Sequence, residues 1–144
     1  MASPSSISAI PLRKKLPTGQ LLIGGKWRDA SDGAIMPTFD PTTEEKITDV
    51  AKASPADAEQ AVLAAAKAFE EGPWGRMHHE QRAKILFRIA DLLDERADEF
   101  ALREAMDMGM PCRDFHDTIL PTCSGLFRFF GGLDADRRRL PAIV

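Results

Sequence analysis

Cys112, His116 and Cys123 are the residues of this chain whose types could do chemistry together. Cys112 and His116 are one helical turn apart, so a thiolate and an imidazole would share a helix face. A structural zinc site wants four ligands in tight pairs, and the sequence offers no evident fourth. The two sulfurs therefore read as core or boundary groups. His78-His79 reads as a solvated helix start. Gly24-Gly25 raises phosphate binding, but a phosphate cradle needs the helix N-terminus that normally follows it. No helix follows here, so a hairpin turn is the better reading. Arg137-Arg138-Arg139 is a short basic run with acids around it, as a solvated surface shows. Trp27 and Trp74 are expected to pack rather than to recognise a ligand.

The chain has 144 residues, 44% of them hydrophobic and 28% charged, which is ordinary for a soluble globular segment. A net charge of -3 argues against a nucleic-acid partner, because neutralising phosphates needs a basic stripe. Two cysteines make no disulfide scaffold and fit a reducing cytoplasm. The first 19 residues read as a flexible leader. Arg13-Lys14-Lys15 lacks the apolar run of a signal peptide, and a transit peptide is the lesser alternative for this serine-rich, acid-free stretch. No run is long and apolar enough to cross a membrane.

The elements that would position these groups follow from periodicity. Gln20-Leu21-Leu22-Ile23 and Lys26-Trp27-Arg28 flank Gly24-Gly25 as two arms of a hairpin. Asp29-Ala30-Ser31-Asp32-Gly33 and Asp40-Pro41-Thr42-Thr43 are turns. Residues 34–39 are expected to be extended, with Pro37 marking an edge. Residues 46–51 alternate polar and apolar, as a half-buried strand does. From Ser54 the period lengthens to that of a helix. Ser54 and Asp57 form a capping box, and Pro55 suits the first helical position. Ala58, Ala61, Val62, Ala65 and Phe69 are the expected buried face, and Gly72-Pro73 the stop.

A second helix is expected from Glu80 to Arg96, burying Ile85, Leu86, Ile89, Leu92 and Leu93. A third runs from Ala97 to Met106, carries Phe100, Leu102 and Met106, and stops at Gly109 with Pro111 beyond. A fourth covers residues 114–130 with Ile119, Leu120, Cys123, Phe127 and Phe130 inside. Pro121 must kink or divide it, and Gly131-Gly132 closes it. A short hairpin region followed by about four helices is thus the expected organisation. Leu140 to Val144 reads as the entry to something further, so a cut chain is expected. Helices without their partner surface would leave the chain marginally stable.

The run LLIGGKWRDASDGAIMPTFDPTTEEKITDVAKASPADAEQAVLAAAKAFEEGPWGRM resembles the start of the NAD(P)-dependent aldehyde dehydrogenase superfamily. The family's IGGxW hairpin is matched by Ile23 to Trp27 and its Asn-Pro-Thr/Ala-Thr turn by Asp40 to Thr43. The alanine-rich helix that follows is matched by Ala53 to Phe69. Trp74, then Arg82 to Leu86, Ala90 to Leu93, Ala97 and Glu99 follow the family's next signature. Glu104, Asp107, Gly109 and Pro111 match its Glu-x-x-Asp-x-Gly-Lys-Pro. Residues 127–132, FRFFGG, are similar to its Phe-Arg-Tyr-Tyr-Ala-Gly. The resemblance covers Leu21 to Gly132 and rests on the order and spacing of the motifs together. Asp40 stands where Asn is usual, and its side-chain oxygen keeps the turn role. Met110 replaces the common Lys and Leu133 a usual Trp, which leaves the subfamily and substrate open.

The resemblance implies an α/β, Rossmann-like fold, with residues 20–144 as the N-terminal part of the NAD(P)-binding domain. It implies oxidation of an aldehyde to a carboxylate with NAD or NADP, through a cysteine thiolate, a general-base glutamate and oxyanion donors. It also implies a homo-oligomer, dimer or tetramer, while the cytoplasmic location rests on the cysteines. The family's Gly-rich phosphate turn and its catalytic residues come later in the family sequence. Neither Cys112 nor Cys123 matches the catalytic cysteine, so no catalytic or cofactor-binding residue is assigned to this chain. One carry-over remains, a structural monovalent cation held by oxygens at Thr38, Phe39 and Asp107, with the set completed beyond Val144. Two functions are weighed: a dehydrogenase segment that is inactive alone, and a non-catalytic short product such as a remnant or interaction piece.

Overall fold

The chain is described from a computed structural model, which covers residues 16–135. The leader up to Lys15 and the arginine run 137–139 lie outside the described residues. The chain divides into two units: one takes the segment ending at Gly75 together with Met106–Gly109, the other Arg76–Ala105 together with the chain from Met110.

The first unit is built from two antiparallel pairs and one helix. β1 (Leu21–Ile23) and β2 (Lys26–Arg28) pair in the register Leu22 to Trp27. Gly24 and Gly25 join them with φ of 59° and 75°, a turn in which both central residues take positive φ. β3 (Ile35–Phe39) pairs with β4 (Lys46–Ala51), and Pro37 lies opposite Asp49 on a strand with one neighbour. Gly19 bridges to Val50 and bonds the backbones of Asp49 and Ala51, which gives β4 a second neighbour over one residue.

α1 (Pro55–Glu71) begins as expected, with Ser54 as N-cap, Pro55 first in the helix and the reciprocal Ser54–Asp57 capping box in place. Asp57 does more than cap. Its carboxylate accepts from the backbone N–H of Ser54 at 2.9 Å and of Ser31 at 3.1 and 3.2 Å, and from both serine hydroxyls. At 2% exposure it is the most buried side chain of α1, and it fastens the turn after β2 to the helix start. Arg28 to Gln60 at 2.9 Å and the approach of Ala64 to Gly24 continue the same contact along the helix. The helix face toward the hairpin is therefore 57, 60, 61 and 64. The expected face is not buried: Val62 and Phe69 are exposed, Phe69 by 86%. The described residues of this unit hold no sheet broad enough to receive an alanine-rich face.

The second unit is helical. α2 (His79–Glu95) and α3 (Ala97–Met108) are joined at Arg96, and Gly109 ends α3 with φ 76°. α4 (Cys112–Asp114), a five-residue π-turn (Phe115–Ile119) and α5 (Leu120–Ala135) follow without a break. The π-turn is how the chain accommodates Pro121. Proline has no N–H and crowds the carbonyl four residues back. Widening the preceding turn lets the Leu120 N–H reach Phe115 O instead. Thr122 Oγ1 donates to Thr118 O at 2.7 Å and Ser124 Oγ to Pro121 O at 3.2 Å. Pro121 thus does not divide the run, and its distortion is taken up in the π-turn.

α5 packs along α2. Arg128 holds Asp91 and Asp94 of α2, each at 2.8 Å. Gly131 does not close the helix, which continues to Ala135. It is buried against Ala83, Leu86 and Phe87, where a side chain larger than that of alanine would hold the two helices apart. Apart from Leu120, the buried positions are small ones: Ala83 and Ala90 on α2, Ala101 on α3, Ser124 and Gly131 on α5. Ile85 of α2, Ile119 of the π-turn and Phe130 of α5, all expected inside, remain more than a third exposed, as does Phe100 of α3.

Two outcomes follow. A carboxylate donated four hydrogen bonds prefers its charged form, and the N–H of Ser54, then of Ser31, hold the Asp57 pKa at about 2 against an ordinary 3.8. A lowered folded-state pKa gives stability that is present above 3.8 and lost as pH falls toward about 2. Circular dichroism melts across that window should fall more steeply for the native chain than for Asp57→Asn; equal slopes would show that the carboxylate carries no acid dependence. At Gly131, a Cβ would sit 3.4 Å from Leu86 Cβ, an ordinary contact. Gly131→Ala should therefore be neutral or stabilising by up to about 1 kcal/mol, whereas Gly131→Leu should cost about 1–3 kcal/mol by forcing α5 off α2, as read by urea unfolding.

Candidate functional site

The cation expectation places oxygen donors at Thr38, Phe39 and Asp107. β3 ends in a register irregularity between Thr38 and Phe39, and the chain then turns at Asp40. The Asp40 carboxylate accepts the N–H of Thr42 at 2.8 Å and of Thr43 at 3.3 Å, so aspartate performs the turn role expected of it. Asp40 N to Glu45 O and Glu44 N to Asp40 O close the loop, with Glu44 held at φ 59°. The end of α3 meets this turn. A Cβ on Gly109 would lie 3.1 Å from Pro41 Cγ and 3.6 Å from Thr42 Oγ1, so a side chain there would push the two segments apart. The fold therefore brings the segment of Asp107 to the turn that follows Thr38 and Phe39. The Thr38 hydroxyl is directed to Thr48 O at 3.4 Å, which leaves main-chain carbonyls as the oxygens Thr38 and Phe39 would offer. Phe39 and Asp107 are exposed.

The sulfurs and His116 do not form a metal set. Cys112 and Cys123 are free and half-buried. His116, in the π-turn, has Nδ1 at 2.7 Å from Asp117 and Nε2 at 3.3 Å from Asp98, so both ring nitrogens already face carboxylates. Among the described residues the side chains that do converge are His78, His79 and Glu80, whose ligating atoms lie within 4.8 Å of one another. His78-His79 is the helix start expected, with His78 the exposed N-cap of α2; the closeness of the three donors is an additional feature. The signal was present, in two imidazoles and a carboxylate on consecutive residues.

A dinucleotide does not fit the residues described. Binding its phosphates needs a Gly-rich turn that leads a strand into a helix N-terminus. Gly24-Gly25 leads into β2, and Gly131-Gly132 lies inside α5. Trp27 and Trp74 do not pack into the buried core as expected, since Trp27 is 67% exposed on its two-stranded hairpin and Trp74 is also exposed. No helix among the described residues is long and apolar enough to cross a membrane.

Comparison with known proteins places this arrangement. Residues 27–140 match the model of the aldehyde dehydrogenase family. The chain is 42% identical over 113 residues to a mitochondrial benzaldehyde dehydrogenase of Antirrhinum majus, covering 78% of this chain and 21% of that protein. It is 41% identical to the human mitochondrial 10-formyltetrahydrofolate dehydrogenase over 78% of its own length and 12% of that protein's. Among solved structures, it superposes on an NAD-dependent aldehyde dehydrogenase from Sinorhizobium meliloti with a TM-score of 0.79 and 34% identity, covering 85% of this chain and 24% of that one. The NAD+ complex of an aldehyde dehydrogenase from Bacillus cereus gives a TM-score of 0.77 at 33% identity, over 81% of this chain and 24% of that one. The chain thus spans about a quarter or less of these relatives. With motif order, elements and superposition in agreement, the chain belongs to the aldehyde dehydrogenase family.

Proposed function

We propose that this chain supplies the N-terminal part of the NAD(P)-binding domain of an aldehyde dehydrogenase that oxidises an aldehyde to a carboxylate, and that residues 1–144 alone do not catalyse it. The superposition on the Sinorhizobium meliloti enzyme carries the reading, because it aligns most of this chain with a quarter of an NAD-dependent dehydrogenase. The unpartnered faces of α1 and α5 support it. Leu126, Phe129, Phe130 and Leu133 recur at helical spacing and form a second apolar stripe on α5, away from α2 and exposed. A helix apolar on two faces belongs inside a larger core. The same surfaces weigh against an independent short product.

In this reading the cofactor is NAD or NADP, the substrate an aldehyde, and the assembly a dimer or tetramer. Two free cysteines suit a cytoplasmic location, although several relatives are named mitochondrial. The chain's own residues do no bond-making. They cap, turn and pack so that an adjoining nucleotide-binding sheet has a surface to rest on. A structural monovalent cation at Thr38, Phe39 and Asp107 would tie the end of β3 to the end of α3, with oxygen ligands.

Purified 1–144 should reduce no NAD or NADP with any aldehyde tested, while native protein captured from its source by an antibody to this segment should do so. Turnover by 1–144, or a captured protein inert with both cofactors, would sink the proposal. The cation has its own test on the longer protein that carries the whole ligand set: melting should rise in potassium or sodium chloride over equal choline chloride, and Asp107→Asn should remove that difference. Identical melting in all three salts would exclude the cation from this segment.

A further inference from the structure

We propose that His78, His79 and Glu80 form a site for a borderline divalent transition metal, zinc(II) foremost, at the start of α2. The donors are two imidazole nitrogens and one carboxylate oxygen, all within 4.8 Å of one another. That set suits zinc, copper(II) and nickel(II), which take imidazole readily, better than the hard cations, which prefer oxygen alone. The two imidazole centroids are 3.9 Å apart and tilted by 39°, so the rings are not a parallel stack, and small rotations would turn a nitrogen of each toward a shared point.

The backbone beneath the donors is held. His78 is the N-cap of α2, and its carbonyl accepts from the N–H of Gln81 at 2.9 Å and of Arg82 at 3.2 Å. The Arg82 guanidinium donates to Met77 O at 2.8 Å, fixing the approach to the helix. Three donors on a fixed turn lose less freedom on binding than three on a loose loop. His78 and Glu80 are exposed and His79 half-buried, so an ion could enter from solvent and keep water in its fourth position. The positive end of the helix dipole and the Arg82 charge oppose a cation there. The Glu80 carboxylate offsets them in turn, so it strengthens a site whose two imidazoles are the indispensable donors. The site uses none of the residues assigned to the cation, and stands or falls independently of the family reading.

The test is calorimetric titration of zinc chloride into the untagged 144-residue chain carrying Cys112→Ser and Cys123→Ser, which removes the thiols as competing ligands. One zinc per chain is expected, with the bound ion shifting the imidazole resonances of both His78 and His79. His79→Ala and His78→Ala should each abolish saturable binding, and Glu80→Gln should weaken it, with helical circular dichroism unchanged. His78 is an exposed N-cap that makes no capping hydrogen bond through its side chain, so its alanine variant guards against loss of fold at His79. Absence of saturable binding overturns the proposal. So does binding that survives both histidine substitutions, or that disappears when the cysteines are replaced.

Discussion

The first unit depends on a carboxylate that is buried and fully hydrogen-bonded. Asp57 could not be taken out of water without partners, since an unpaired buried charge is among the most expensive things a small fold can contain. It is tolerated because Ser31 and Ser54 surround it with N–H and O–H donors. Those donors come from two places in the chain, the turn after β2 and the start of α1. Satisfying the charge therefore fixes where the helix begins relative to the hairpin. A two-stranded hairpin and a single helix have little apolar surface to align them. A polar clamp with directional bonds does that work where the hydrophobic contact is thin.

The second unit is organised by close approach rather than by bulk. Its buried positions are alanines, a serine and a glycine, with Leu120 the exception. Small residues bring α2 and α5 together, and Arg128 bridges the two acids of α2 beside that contact. The Asp94 carboxyl is held below its usual range first by Ser124 and then by Arg128. The large apolar residues are displaced to the margins. They cover neighbouring helices partly and leave a stripe of Leu126, Phe129, Phe130 and Leu133 facing outward. The π-turn before Pro121 makes this geometry available, because it lets a proline sit at the start of α5 while the chain remains helical from Cys112 onward.

Family membership gives these features one explanation. The chain spans about a quarter or less of the relatives it matches, and an exposed apolar stripe is the kind of surface that a longer protein covers. The same view accounts for what the described residues lack. Their glycines serve a hairpin turn, a helix stop and a helix crossing, and none opens a helix on a phosphate.

Local chemistry was legible in the residues themselves. Gly24-Gly25 had to turn the chain, Ser54-Pro55 with Asp57 had to start a helix, and Gly109 had to stop one, because each depends on φ preferences and donors within a few residues. The strands 35–39 and 46–51 and the role of Asp40 followed on the same local grounds. Burial was not legible in that way. Periodicity named Val62, Phe69, Ile119 and Phe130 as inside, yet all four are exposed, because a stripe states only that some surface is wanted and not which one is within reach. Asp57, expected as a cap, became the buried centre of its unit only when Ser31, distant in sequence, folded over it. Gly131, expected as a helix stop, became a packing site only when α2 arrived beside it. Sequence determined the turns, caps and family; tertiary structure decided which faces meet, since that depends on partners that no local pattern contains.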